Sequence, residues 1–219
     1  MQILEHINSR EDLLAVPWEQ EAQLCQEIRQ WLVQNVAKTG GHLASNLGIV
    51  ELQVAIEKEF DTRRDRLVFD VGHQSYVHKI LTGRRDAMTG LRTLDGISGF
   101  PKPDESETDA FVAGHASNAV SVALGMARAR TLQGADYNVI ALLGDGAMTG
   151  GLFYEGMNDA GASKEPLIVI LNDNEMSIAK NVGGIAGHLK LIRCRPGYFK
   201  LKRNYRRLTK ALPGGQHLY

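Results

Sequence analysis

The sequence predicts an α/β fold, a mostly parallel sheet flanked by helices, and three observations carry that expectation. Two apolar runs, Val139-Ile140-Ala141-Leu142-Leu143 and Leu167-Ile168-Val169-Ile170-Leu171, have the length and composition of buried strands. Leu152 to Ala160 between them reads as a helix, so strand, crossover helix and strand make one unit with parallel neighbours. A third run, Arg66 to Val71, reads as another short buried strand.

The remaining elements follow in chain order. From Trp18 to Lys38 the apolar residues Leu24, Ile28, Leu32 and Val36 recur at helical spacing, and Gly40-Gly41 ends the helix. Leu47 to Phe60 reads as a second helix. The strand at Arg66 delivers Gly72-His73 at its end, and a helix from Tyr76 to Leu81 stops at Gly83. Residues 84–113 are loop-rich around Ser98-Gly99-Phe100-Pro101-Lys102-Pro103. Asn118 to Leu132 is a helix whose small residues Ala119, Ala123, Gly125 and Ala127 permit close packing. Leu201, Tyr205, Leu208 and Leu212 step by four, three and four, as in an amphipathic helix. The expected division is a lead-in over 1–16, a main domain over 17–187 and a basic helical segment over 188–219. The sheet is expected to be unfinished at its C-terminal end.

Composition narrows the function classes. A chain of 219 residues holds one generous domain, and its 23 glycines cluster beside polar residues as in ligand-binding loops. Cys25 and Cys194 fit no metal or redox spacing, which suggests a reduced, cytoplasmic protein. No stretch has the pattern of a signal peptide or a membrane span. All 25 acidic residues lie at or before Glu175, while Lys180 to Lys210 carries ten Lys or Arg and no acid. That stretch has no interleaved aromatic motif of a known nucleic-acid module, so it reads as a solvated basic helix or as a surface whose acidic neighbours lie beyond Tyr219, and neither nucleic acid nor membrane is expected as a partner.

The chemistry concentrates where two strands end. Gly144-Asp145-Gly146 follows one apolar run directly and Asn172-Asp173-Asn174 follows the other. In an open parallel sheet ligands collect at the carboxyl ends of the strands. The glycines beside Asp145 let the backbone turn and leave room for a bulky anion. A carboxylate from Asp145, an amide oxygen from Asn174 and a nearby carbonyl meet the needs of Mg²⁺, which takes few protein ligands when phosphates supply the rest. The next helix begins near Gly150-Gly151, with amides able to face a phosphate. Each motif alone is a common turn. No Walker A loop and no Gly-x-Gly-x-x-Gly fingerprint after a strand is present, which sets aside nucleotide binding by those routes.

Spaced 29 residues apart at two strand ends, Asp145 and Asn174 resemble the thiamine diphosphate signature. Longer words sharpen the likeness: Lys38-Thr39-Gly40-Gly41-His42-Leu43-Ala44-Ser45-Asn46-Leu47-Gly48, Asp70-Val71-Gly72-His73-Gln74-Ser75-Tyr76-Val77-His78-Lys79-Ile80-Leu81-Thr82-Gly83, Ser98-Gly99-Phe100-Pro101-Lys102, Gly114-His115-Ala116-Ser117 and Asn172-Asp173-Asn174-Glu175-Met176-Ser177-Ile178. From about Pro17 to about Pro213 the chain resembles the N-terminal part of the 1-deoxy-D-xylulose-5-phosphate synthase family. Transketolases share the cofactor motifs without these surrounding words.

The resemblance implies a transketolase-like diphosphate-binding domain over 17–187, with thiamine diphosphate and Mg²⁺ as cofactors. Asp145, Asn174 and the Met176 carbonyl would hold the metal, Gly146 and Ala147 would give amides to the diphosphate, and Gly114, His115, Ala116 and Ser117 would line it. Where the family supplies further hydroxyls after Ser117, this chain has Asn118 and Ala119. His42 and His73 would act on the thiazolium side, steadying substrate oxygens or moving protons; imidazole titrates near neutrality. His78 is expected to pack or to support, and His188 and His217 to lie on the surface. The family joins pyruvate to glyceraldehyde 3-phosphate with loss of CO₂, as a homodimer. Its pyrimidine-contacting glutamate and its substrate-phosphate arginines come from segments not matched here, so the chain alone is expected not to turn over. The alternative is a cofactor-binding subunit of a split transketolase-like enzyme.

Overall fold

A parallel sheet with helices on both faces forms the frame. The computed structural model describes residues 2–173 and Gly184, and all but Gly184 belong to one compact unit, Met1–Ile178. Asn174, Met176, the basic stretch and the helix expected around Leu201 lie outside the described residues.

Three strands, β1 (Arg66–Phe69), β2 (Val139–Gly144) and β3 (Ile168–Asn172), lie in the order β1-β2-β3, all parallel. Phe69 is level with Leu142 and Gly144 with Asn172, so the three carboxyl ends share one edge. The helices are α1 (Arg10–Leu14), α2 (Trp18–Thr39), α3 (Leu43–Leu47), α4 (Val50–Glu59), α5 (Tyr76–Lys79), α6 (Ala119–Gln133) and α7 (Gly151–Ser163). The expected α/β class with a flanked parallel sheet is what the structure has.

Strand alternation divides the core in two. Leu67, Phe69, Ile140 and Leu142 point to the face packed by α2, α4 and α5, together with Leu4, Ile7, Leu13 and Val16 of the N-terminal stretch. Val68, Val139, Ala141 and Leu143 point to the other face, where Ala119, Val120, Ala123 and Ala127 of α6 and Phe153 of α7 meet them. The small residues predicted for α6 are those that sit on the sheet. On β3 the side chains of Ile168, Val169 and Leu171 keep 37%, 37% and 41% of their surface exposed, whereas β2 is buried from Val139 to Leu143.

Local chemistry explains the element ends. The Ser9 side chain accepts the Asp12 N–H and starts α1. Gly40, at φ +76°, ends α2. Gly134, at φ +62°, ends α6 with its N–H on the Thr131 carbonyl. Arg130 then donates to the carbonyls of Tyr137 and Pro166 at 3.0 Å each, tying together the segments that lead into β2 and β3.

Three expected boundaries move. The helix predicted over Leu47–Phe60 is α4 and starts at Val50, because the chain turns at Gly48-Ile49; before that turn lies a separate short helix, α3, in which Asn46 faces inward, fully buried. The strand predicted to Val71 stops at Phe69, since Val71 at φ +60° and Gly72 at φ +87° turn the backbone away. The helix at Tyr76 is regular only to Lys79, after which a wider turn runs to Arg84. No helix among the described residues is long and apolar enough to cross a membrane.

Candidate functional site

The loops that leave the carboxyl ends of β1 and β2 are joined through one buried carboxylate and one buried hydroxyl. Asp70, the first residue after β1, accepts the Ser117 N–H on Oδ1 at 2.8 Å and the Ala119 N–H on Oδ2 at 3.1 Å. It therefore satisfies amides at the start of α6, where Asn118 makes no side-chain cap. Burial raises the Asp70 carboxyl above the ordinary aspartate range, against the lowering by the N–H groups of Ser117, Ala119 and Asn118. The next residue, Val71, donates its N–H to the His115 carbonyl at 3.2 Å. Ser117, at φ +71°, donates its hydroxyl to the Ala147 carbonyl at 2.7 Å. The Gly114-His115-Ala116-Ser117 loop is thus fastened to the end of β1 on one side and to the Asp145-Gly146-Ala147 loop on the other.

Within that frame Gly114, His115, Ala116 and Gly146 are exposed, Asp145 is half-buried, and Ser117 and Ala147 are buried. Ser117 is expected from sequence to lie beside an anion; its hydroxyl is committed to Ala147, so its part in the loop geometry is visible and its exposed neighbours form the rim. Asp145–Thr149 makes a tight 3₁₀ turn before α7. Thr149 donates to the Gly146 carbonyl at 2.8 Å and Tyr154 to the Met148 carbonyl at 2.6 Å. Gly144 and Asn172 are register partners, so Asp145 and Asp173 leave the sheet from neighbouring strand ends.

The two imidazoles singled out from sequence come together. The rings of His42 and His73 lie 5.2 Å apart, edge to face at 68°, with Phe100 6.2 Å from His42. The fully buried Asn46 holds their backbones: its amide donates to the His42 carbonyl at 2.7 Å and the His73 carbonyl at 2.8 Å, and its oxygen accepts the Tyr76 N–H at 2.9 Å. Burial lowers both imidazoles below the ordinary histidine range, helped at His42 by Arg92 and at His73 by His42. His73 Nδ1 is a sealed atom without a hydrogen-bond partner. Gly72 makes the turn into His73 possible, since a Cβ there would stand 2.6 Å from the Ala113 Cβ and 2.7 Å from Pro101 Cδ.

His78 belongs to a different cluster, made of buried charged groups. It is fully buried with Nδ1 2.6 Å from Glu57 Oε1 and Nε2 3.0 Å from Asp109 Oδ1. Burial opposes a charge on His78, yet the two carboxylates raise it above the ordinary histidine range. Arg84 pairs with Asp109 at 2.7 and 2.8 Å. Lys79 donates to the Ser98 carbonyl at 2.9 Å and to Glu105 at 2.5 Å. This network fastens the 98–109 loop, which carries Phe100 and Pro101, to α5.

Asp70, Asn46 and Tyr76 are the supporting residues that sequence reasoning passed over, although each lies inside a quoted motif. An acid closing an apolar strand was the signal for Asp70. An Asn beside Leu43 and Leu47 carried no comparable sign that it would be the most buried member of its turn.

A family model described as 1-deoxy-D-xylulose-5-phosphate synthase matches residues 4–218. The chain belongs to the 1-deoxy-D-xylulose-5-phosphate synthase family. It is 53% identical over 213 residues to the 1-deoxy-D-xylulose-5-phosphate synthase of Syntrophomonas wolfei, covering 97% of this chain and 33% of that protein. It is 51% identical over 211 residues to the protein of the same name from Natranaerobius thermophilus, with 96% and 33% covered. The Clostridium kluyveri synthase is 51% identical over 211 residues, with 96% and 34% covered. The chain therefore spans about a third of the length of these synthases.

The residues present fit the cofactor that the family likeness implies. Asp145 supplies a hard oxygen at a strand end beside a glycine turn, which suits Mg²⁺ when phosphate oxygens complete its shell. Among the described residues no group of three or more His, Cys, Asp or Glu could hold a metal ion. A site of this kind needs one carboxylate rather than a cage.

Proposed function

We propose that this chain is the diphosphate-binding N-terminal part of a 1-deoxy-D-xylulose-5-phosphate synthase and that it holds Mg²⁺ and the diphosphate of thiamine diphosphate. The joining of the 114–117 and 145–147 loops by the Ser117 hydroxyl, at the carboxyl edge of the sheet, carries this reading. Asp145, Asn174 and the Met176 carbonyl are the metal ligands in this reading. The amides of Gly146 and Ala147 and the rim Gly114-His115-Ala116-Ser117 receive the diphosphate. His42 and His73 take the reacting side, where His42 offers a hydrogen bond to a substrate oxygen and His73 stands beside it, ring to ring at 5.2 Å.

When bound, thiamine diphosphate supplies an electron sink for carbonyl chemistry. The whole enzyme, a thiamine diphosphate-dependent transferase, would decarboxylate pyruvate and condense it with D-glyceraldehyde 3-phosphate, giving 1-deoxy-D-xylulose 5-phosphate and CO₂ for isoprenoid, thiamine and pyridoxal synthesis. It would work in the cytoplasm as a homodimer. Because these residues correspond to a third of the related synthases, the 219 residues alone would bind without turnover.

Calorimetric titration of the purified chain with thiamine diphosphate, with and without Mg²⁺, tests the reading. Binding that needs Mg²⁺ and disappears in Asp145→Ala is expected. Binding that is the same with and without the metal, or that survives in Asp145→Ala, would overturn the assignment.

A further inference from the structure

One buried hydroxyl touches His42 twice. Tyr76 is fully buried, and its Oη lies 3.2 Å from the His42 backbone nitrogen and 3.4 Å from His42 Nδ1. The backbone N–H can only donate, so it occupies a lone pair of Oη. The phenolic proton must then find an acceptor, because a donor sealed from water is costly to leave unmade. Glycines crowd Oη: a Cβ at Gly41 would lie 2.8 Å from it and one at Gly99 3.5 Å. Among the described residues the acceptor within reach is His42 Nδ1.

We propose that Tyr76 is a positioning residue that fixes His42 as the neutral tautomer with its proton on Nε2. The hydroxyl of Tyr76 donates to Nδ1, which leaves Nε2 as an N–H donor. Nε2 has no hydrogen-bond partner among the described residues and is not among the sealed atoms, on a residue that is half-buried. The rings of His73 and Phe100 stand edge-on to the imidazole, with centroids 5.2 and 6.2 Å away, and crowd a turn of the ring.

Addition of a second proton to His42 would fall on Nδ1 and break the bond from Tyr76. Burial opposes that charge most, and Arg92 opposes it in the same direction; the neighbouring His73 is itself lowered by burial and by His42. At neutral pH His42 is thus a fixed N–H donor for a carbonyl or carboxylate oxygen, and not a store of protons. This last step rests on the cleft being the substrate site proposed above; the tautomer does not, and its test needs no cofactor.

The chain labelled with ring-¹⁵N histidine reports the tautomer through its nitrogen shifts, with the His42 signals assigned from their loss in His42→Gln. The expected parent spectrum at neutral pH has Nδ1 unprotonated and hydrogen-bonded and Nε2 protonated. In Tyr76→Phe, which keeps the ring and removes one oxygen, the Nδ1 shift should move and the His42 titration midpoint should rise, while the backbone amide spectrum away from residues 41–46 stays in place. A proton on Nδ1 in the parent overturns the proposal without any variant. So does a Tyr76→Phe spectrum in which the His42 nitrogens and midpoint are unchanged.

Discussion

Asp70 accepts the Ser117 backbone N–H at 2.8 Å across 47 positions of sequence, and this one contact brings the end of β1 to the start of α6. Its second oxygen takes the Ala119 N–H, so a single side chain satisfies the first amide of α6 and one in the loop that leads into it. The exposed rim at Gly114-His115-Ala116 hangs from that junction.

Replacing Asp70 by Ala should therefore cost about 2 kcal/mol or more, since a lost cap is worth ~1–2 kcal/mol and each amide left sealed adds to it. Urea unfolding monitored by circular dichroism measures the loss. An unchanged midpoint would mean that the loop is held by other contacts.

Asn46→Ala should be more damaging than its size suggests. The His73 carbonyl and the Tyr76 N–H lose this partner at once, at roughly 1–3 kcal/mol for each buried group left unpaired, while the His42 carbonyl keeps the Ser45 hydroxyl at 3.4 Å. Asn46→Asp should not rescue it, because a carboxylate would face the carbonyls of His42 and His73. Thermal unfolding of the two variants beside the parent decides the order.

Gly72 and Gly40 separate crowding from backbone strain. Both have positive φ, but a Cβ at Gly72 would meet Ala113 and Pro101, whereas nothing lies within 4 Å of one at Gly40. Gly72→Ala should lose about 2–4 kcal/mol, combining strain with overpacking, and Gly40→Ala about 1 kcal/mol from strain alone. Equal losses in urea titrations would show that the turn at Gly72 can relax.

Stability should fall on the alkaline side through His78. Its folded pKa is raised by Glu57 and Asp109 against burial, so its contribution is whole below the unfolded value of ~6.5 and is lost as pH rises through the folded value. Asp109 is shifted the other way. Burial would raise it, but the bonds from His78 and Arg84 hold it well below the aspartate range. Its contribution is present above ~3.9 and is lost as pH falls through the depressed folded value. His78→Gln should lower stability at neutral pH by about 3 kcal/mol, the order expected for breaking a buried ion pair, and should flatten the alkaline fall. Urea midpoints between neutral and alkaline pH compare the two proteins, and an undiminished fall in the variant would place its source elsewhere.

The strands and α2 were legible because burial imposes a period that composition records. Leu24, Ile28, Leu32 and Val36 all lie in the core, as their spacing requires. The pairing of His42 with His73 was legible only through the family words, since 31 residues separate the two in a chain of 219. The start of α4 at Val50 was not legible: Leu47 to Phe60 has adequate helical spacing, and the turn at Gly48-Ile49 sets α4 apart from α3, whose Asn46 is bonded to the backbones of His42, His73 and Tyr76. The early end of β1 was not legible either, since it is set by the positive φ of Val71 and Gly72 just after it.

What the sequence determined by itself was the kind of layer each segment could join, the strand-end position of Asp145 and, through its motifs, the family. Those properties are written in neighbouring residues, whose hydrophobic pattern and turn chemistry act locally. Only the tertiary structure decided which polar side chains would be sealed and whom they would satisfy. Asp70 with Ser117, Asn46 with His42 and His73, Tyr76 with His42, and His78 between Glu57 and Asp109 are each joined across 21 positions or more, apart from Asn46 with His42. A buried hydrogen bond depends on what water has been excluded from, and that is settled when distant segments meet.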